Sequence, residues 1–101
     1  MKQKISIHYL SPAERDLEEI VGYIRRDSIE GSKRFLTKMD HVAARLTRFP
    51  ESGLLPKDPY LLQKKYRMVI FGNYIAFYKI EKRRISIYRV LHGKRRYSFL
   101  L

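Results

Sequence analysis

Residues 66–91 read YRMVIFGNYIAFYKIEKRRISIYRVL, and this stretch decides the fold. Three runs within it, 66–71, 74–80 and 84–91, are rich in β-branched and aromatic residues, which suit a pleated, half-buried surface. Gly72-Asn73 between the first two is a tight-hairpin signal, and Glu81, Lys82 and Arg83 make the second turn. The pattern predicts a three-stranded antiparallel meander. Along its third run the period of two puts Ile85, Ile87, Arg89 and Leu91 on one face and Ser86, Tyr88, Val90 and His92 on the other. A charged Arg89 among apolar neighbours should be paired or aimed at a functional groove. Tyr78 and Tyr88 alternate with apolar residues and are read as packing residues rather than stacking platforms for bases.

Upstream, residues 4–10 (KISIHYL) also alternate, with Ile5, Ile7 and Tyr9 on one side, and predict a first strand. Ser11-Pro12-Ala13-Glu14 then reads as a helix start, with Ser11 as cap, Pro12 at the first helical position and Glu14 completing a capping box. Leu17, Ile20, Val21 and Ile24 give this helix one apolar stripe. Gly22 inside it costs about 1 kcal/mol relative to Ala, so a close approach by another helix is expected there. The pattern breaks over Ser28 to Ser32, and a second helical stripe runs through Phe35, Leu36, Met39, Val42, Ala43, Leu46 and Phe49 until Pro50. Residues 50–59 (PESGLLPKDP) hold three of the four prolines and read as an ordered loop. The expectation is one α+β domain over residues 1–101, in the order β-α-α-β-β-β. An antiparallel helical hairpin covers one face of an antiparallel sheet and leaves the other face free.

Composition narrows the function. With 45% hydrophobic residues, eight Tyr and five Phe, the 101-residue chain can offset its folding entropy. The absence of cysteine excludes disulfides and thiolate zinc sites, and His8, His41 and His92 lack metal-ligand spacing, so no metal and no cofactor are expected. No run is apolar and long enough to read as a signal peptide or a membrane span, so no membrane partner is expected and the location is read as cytoplasmic. The formal net charge is +12, and it is lopsided. Residues 1–59 hold eleven Lys and Arg against nine Asp and Glu; residues 60–101 hold eleven against Glu81 alone, a net of +10. That half should attract a polyanion or an acidic protein segment. None of the recognised nucleic-acid-binding signatures accompanies the charge.

The order of elements and the residues SPAERDLEEIVGYI (11–24), ARLTRFPESG (44–53), KYRMVIFGNYIAFYKI (65–80) and IYRVLHGKRRY (87–97) resemble the RelE/ParE toxins of bacterial type II toxin-antitoxin modules. That resemblance implies growth inhibition by one of two routes. RelE-like members cut messenger RNA in the ribosomal decoding site; ParE-like members poison DNA gyrase. RNA cleavage needs converging cations around the phosphorane and a proton donor for the leaving oxygen. Lys65, Arg67 and Arg95 match three of the RelE-like cations, and His92 is a candidate general acid. Ile75, however, stands where the second-strand arginine is expected, and after Arg95 the tail offers Tyr97 too early and then Phe99, Leu100 and Leu101. The VLHGKRR ending is the form common among ParE-like members. The resemblance therefore implies gyrase as target, with ribosome and mRNA as the alternative. It also implies a cognate antitoxin whose acidic or amphipathic segment folds on binding. The residues expected to face target or antitoxin are Lys65, Arg67, Arg89, Lys94, Arg95 and Arg96.

Overall fold

Gly72 takes φ = 58° and turns the chain between two of the strands predicted over residues 66–80. The computed structural model describes residues 5–95, 97, 100 and 101. Its elements are β1 (Ser6–Tyr9), α1 (Ser11–Asp27), α2 (Ile29–Arg48), a 3-10 turn at Pro50–Ser52, a short helix α3 (Pro59–Gln63), β2 (Arg67–Phe71), β3 (Tyr74–Glu81) and β4 (Arg84–His92). The last three strands form the antiparallel meander, as the sequence pattern requires. One sheet results, in the order β1-β4-β3-β2. Its first strand corrects the all-antiparallel expectation: β1 runs parallel to β4, with Ser6 opposite Arg84 and Tyr9 opposite Ile87. The helices and the rest of the meander lie between the two strands and supply the long connection that parallel pairing needs.

The helix boundaries differ from the expected ones for local reasons. Ser11 does not cap α1, and no capping box forms; Leu10 is the N-cap residue and its N–H donates to Ile87 O at 3.0 Å. The chain thus leaves β1 and enters α1 without a break in hydrogen bonding to β4. The turn expected over 28–32 shrinks to Ser28, whose N–H donates to Ile24 O (2.9 Å) and whose hydroxyl accepts from Gly31 N–H (2.8 Å). Gly31 therefore belongs to the first turn of α2, where an added Cβ would stand 3.1 Å from Ile24 Cγ2. Gly22 has nothing within 4 Å of its Cβ direction. The glycine that admits a neighbouring helix is Gly31, not Gly22.

The helical hairpin covers one face of the sheet. Phe35, Met39, Val42 and Leu46 of α2 pack on Val69, Phe71, Ala76, Tyr78, Ile85, Ile87 and Val90, while Leu17, Ile20, Val21 and Ile24 of α1 line the margin. Each fully buried Leu, Ile or Val in such a layer contributes about 1.5–3 kcal/mol. The opposite face, expected free, is covered: Leu61, Tyr66, Ile75, Phe77 and Leu91 form a second cluster, with Tyr97, Leu100 and Leu101 of the tail against it. The element doing part of the covering, α3, was missed within the proline-rich segment. Asp58 caps it by accepting from Tyr60 N–H (2.9 Å) and Leu61 N–H (3.1 Å), and Pro59 occupies its first turn.

A bulge in β4 explains where Arg89 goes. Tyr78 pairs with Ile87 and Phe77 with Arg89, so Tyr88 is the extra residue between them. Alternation resumes with Val90 on the helix side beside Ile87, and Leu91 in the far cluster. Arg89 thus leaves the face it was expected to share with Ile85 and Ile87. Its Nε (2.7 Å) and Nη2 (2.8 Å) donate to the two carboxylate oxygens of Asp16, Val90 N–H donates to the same carboxylate at 3.0 Å, and Nη1 donates to Leu100 O at 3.1 Å. The hydrogen bond to Asp16, against the opposing effect of burial, pushes the guanidinium further above its ordinary range.

At the end of α3 the chain makes a Schellman turn. Tyr66 N–H donates to Leu61 O (3.1 Å), Lys65 N–H donates to Leu62 O (3.0 Å), and Leu61 and Tyr66 share the far cluster. The residue in the left-handed position, normally glycine, is Lys65 with φ = 70°. A Cβ there is strained by about 1 kcal/mol.

Two outcomes follow for stability, each read from urea midpoints at unchanged slope. Asp16→Ala, which strands a guanidinium only 20% exposed, should cost about 3 kcal/mol, and adding Arg89→Met should recover part of the loss. Gly22→Ala and Lys65→Gly should each stabilise the fold by about 0.5–1 kcal/mol.

Candidate functional site

The sheet separates the expected site residues into two groups at its opposite ends. Arg67 pairs with Tyr78 and His92 with Tyr74, four residues apart along β3, which at the strand rise is roughly 13 Å. Lys65 precedes Arg67 at one end; Lys94 and Arg95 follow His92 at the other. Arg96 lies outside the described residues, as does Phe99 of the tail.

At the His92 end the backbone makes a tight turn. Gly93 N–H donates to Asn73 O (2.8 Å), Arg95 N–H donates to His92 O (3.0 Å), and Lys94 N–H donates to His92 Nδ1 (3.2 Å). His92 Nδ1 is therefore an acceptor, the ring rests edge-on against Tyr74 at 5.5 Å, and Nε2 is the nitrogen left for other work. Lys94 and Arg95 are exposed. A shallow pocket beside this turn has Glu19, Ile20 and Tyr23 of α1 as its other wall. This end can hold an anion electrostatically, but it presents one histidine nitrogen and no second cation from the Lys65 group.

At the other end, Arg67 is only partly available. Its Nη1 donates to Glu51 O (3.2 Å) and Gly53 O (3.3 Å), fastening the 3-10 turn to β2. Tyr78 fastens the same loop from below: its hydroxyl donates to Pro50 O (2.6 Å) and accepts from Gly53 N–H (3.0 Å), with no room for a side chain at Gly53. Burial pushes this phenol up, opposed by the Gly53 hydrogen bond and the Arg67 charge. Tyr78 is thus a packing residue, as expected. Tyr88 is one too: Lys79 Nζ lies 4.5 Å from the Tyr66 ring and 4.9 Å from the Tyr88 ring, and Tyr88 donates to Glu81 at 3.2 Å. Burial raises both phenols, keeping them protonated.

Of the six residues expected to face a partner, Arg89 is committed to Asp16 and Leu100, and Arg67 in part to the 50–53 loop. Lys65, Lys94 and Arg95 are exposed. Ile75 is buried opposite Leu91 in the far cluster, so the position that could have carried a strand cation lies under the tail rather than on an open face. Among the described residues no group of three His, Cys, Asp or Glu could hold a metal, and no helix is long and apolar enough to cross a membrane.

Sequence reasoning missed an apolar rim at the Lys65 end. Phe49 closes the α2 stripe and was expected to be buried, but it is 58% exposed; Leu55 (59%) and Leu62 (46%) lie in the loop and α3. The signal available was the run of large apolar residues on either side of Pro50 and Pro56, where turn chemistry leaves few ways to bury them.

A family model described as the ParE toxin of the type II toxin-antitoxin system, parDE, matches residues 7–97. No curated protein sequence matches the chain. Among solved structures, one from the chromosomal ParDE toxin-antitoxin system of P. aeruginosa superposes with a TM-score of 0.72 at 16% identity, covering 90% of this chain and 98% of that one. Another, from the RelBE2 toxin-antitoxin complex of Mycobacterium tuberculosis, gives 0.65 at 20% identity, covering 89% and 99%. At such identities the two structures establish a shared fold.

Restoring a cation at the central strand position should not create a site. Ile75→Arg should cost roughly 3 kcal/mol by burying a charge in the far cluster, measured by urea denaturation, and should confer no cleavage of RNA on ribosomes.

Proposed function

The chain belongs to the ParE toxin family of type II toxin-antitoxin systems, and on that basis we propose that it arrests growth by binding and poisoning DNA gyrase, without cutting RNA. The observation that carries this reading is the burial of Ile75 within an apolar cluster. A ribonuclease must surround one phosphorane with cations at hydrogen-bonding range, and it needs a group to protonate the leaving oxygen. Lys65 and Arg67 lie at one end of the sheet and His92 and Arg95 at the other, with apolar rows between them. Binding makes no such demand, because dispersed surface charge still steers a partner and sets its orientation.

The second reading, a ribosome-dependent nuclease using Lys65, Arg67, His92 and Arg95, keeps one feature in its favour: His92 Nε2, beside Lys94 and Arg95, has no hydrogen-bond partner among the described residues. A cognate antitoxin is proposed as the physiological partner. The +10 carried by residues 60–101 suits an acidic segment that orders on binding.

Induction without antitoxin in a sensitive bacterium separates the two readings. Gyrase poisoning should give DNA breaks and an SOS response while translated messages stay intact; early cutting of translated messages would overturn it. The double variant Lys94→Ala/Arg95→Ala should reduce toxicity at least tenfold, measured by survival after induction, with an unchanged urea midpoint.

A further inference from the structure

Two grooves meet at Ile80 near the end of β3. One is lined by Ile5, Phe49 and Pro50 with Arg48, Glu51 and Ser52 on its rim, and the other by Leu55, Leu62 and Tyr66 with Lys65 and Arg67. Ile80 is 37% exposed, whereas Ile75, Ala76, Phe77 and Tyr78 earlier in β3 are buried. The β3–β4 turn next to it contributes Lys82 and Arg83, and β4 opens with Arg84, all exposed. An apolar floor whose edges carry Arg48, Lys65 and Arg67 against Glu51 excludes a bare phosphate chain as the best occupant, since phosphates gain nothing from Phe49, Leu55 or Leu62. It fits an amphipathic peptide with carboxylates flanking its apolar side chains.

Lys65 adds an independent observation. It holds the left-handed position of a Schellman turn that glycine would fill with less strain, and its exposed side chain makes no hydrogen bond or ion pair among the described residues. A strained residue kept at the edge of an apolar groove is explained if its ammonium group is used by a partner. We propose that the groove joined at Ile80 docks an acidic, amphipathic segment of the cognate antitoxin, with apolar side chains on Phe49, Ile80 and Leu62 and carboxylates against Arg48 and Lys65. This rests on the reading that an antitoxin neutralises the chain, and it places that contact at the opposite end of the sheet from the Lys94–Arg95 turn.

The test uses the full-length toxin and the antitoxin encoded beside it, with co-expression rescue, toxicity of the toxin alone, and affinity at two salt concentrations as readouts. Wild-type toxin that the antitoxin neither binds nor rescues would remove the partner itself, before any variant is compared, and this proposal with it. Given wild-type rescue, Phe49→Ser and Ile80→Glu should remain toxic alone while binding the antitoxin at least tenfold more weakly and escaping rescue. Lys65→Gly supplies the fold-safe variant: it should be at least as stable as wild type, yet bind more weakly and with a shallower salt dependence. Wild-type affinity in all three variants would overturn the proposal. So would loss of toxicity in Phe49→Ser and Ile80→Glu with antitoxin binding intact, which would give the groove to the toxin's target or to a nucleic acid.

Discussion

The fold depends on what happens to β4 where β1 runs out. β1 covers four residues and β4 nine, so beyond Ile87 the backbone of the longer strand loses its parallel neighbour. A buried N–H without a partner would cost about as much as a lost hydrogen bond. The Asp16 carboxylate fills the gap by accepting from Val90 N–H, and the bulge at Tyr88 brings Arg89 to neutralise it with two parallel hydrogen bonds. Because Arg89 also donates to Leu100 O, one cation holds α1, β4 and the tail together. Such a pair adds little net stability compared with well-packed apolar residues, yet removing one partner is expensive. Its effect is therefore on specificity: the start of α1 has one place to sit, and the tail one direction to run.

That placement determines which surfaces remain for function. With α1 and α2 on one face and α3 and the tail on the other, apolar clusters close most of both faces of the sheet, Ile70 of β2 staying exposed. The exposed cations gather at the two ends of the strands. At one end the Gly93 turn presents Lys94 and Arg95; at the other, Tyr78 and Arg67 hold the 50–53 loop so that Phe49 and Ile80 stay exposed. Each end combines strand termini with turns, and hydrogen bonds from the strands position those turns.

Local pattern in the sequence carried the elements well and their long-range assembly less well. Alternation and Gly72-Asn73 located the meander because side-chain period and turn chemistry are properties of neighbouring residues. The parallel pairing of β1 was not legible, since its partner lies at the other end of the chain. The bulge at Tyr88 was hidden for a related reason: one extra residue leaves composition unchanged but reverses every face assignment after it. One clue was present in α1, where Asp16 stands on the apolar side between Ala13 and Ile20, and an acid there calls for a buried cation. Read together with Arg89 on an apolar strand, it points to the pair. For the site, the number of cations was legible but their destinations were not, because a guanidinium spent on Asp16 looks the same in sequence as one offered to a partner.

The distribution of charge bears on the choice between binding and catalysis. In the second half of the chain, Lys64, Lys65, Lys82, Arg83, Arg84, Lys94 and Arg95 occupy turns and strand ends, where they stay hydrated. The two cations well inside strands are spoken for: Lys79 by the rings of Tyr66 and Tyr88, and Arg89 by Asp16. The central rows hold Ile75, Phe77 and Leu91, fully desolvated. Phosphorane stabilisation needs charges that converge on one dry point, and a sheet with apolar rows between charged ends keeps its cations apart. The same arrangement gives a strong field over a broad surface, which speeds encounter with an acidic partner and orients it. The proposed mode of action, holding a target rather than cutting RNA, rests on this separation of charge and on the apolar residue at position 75.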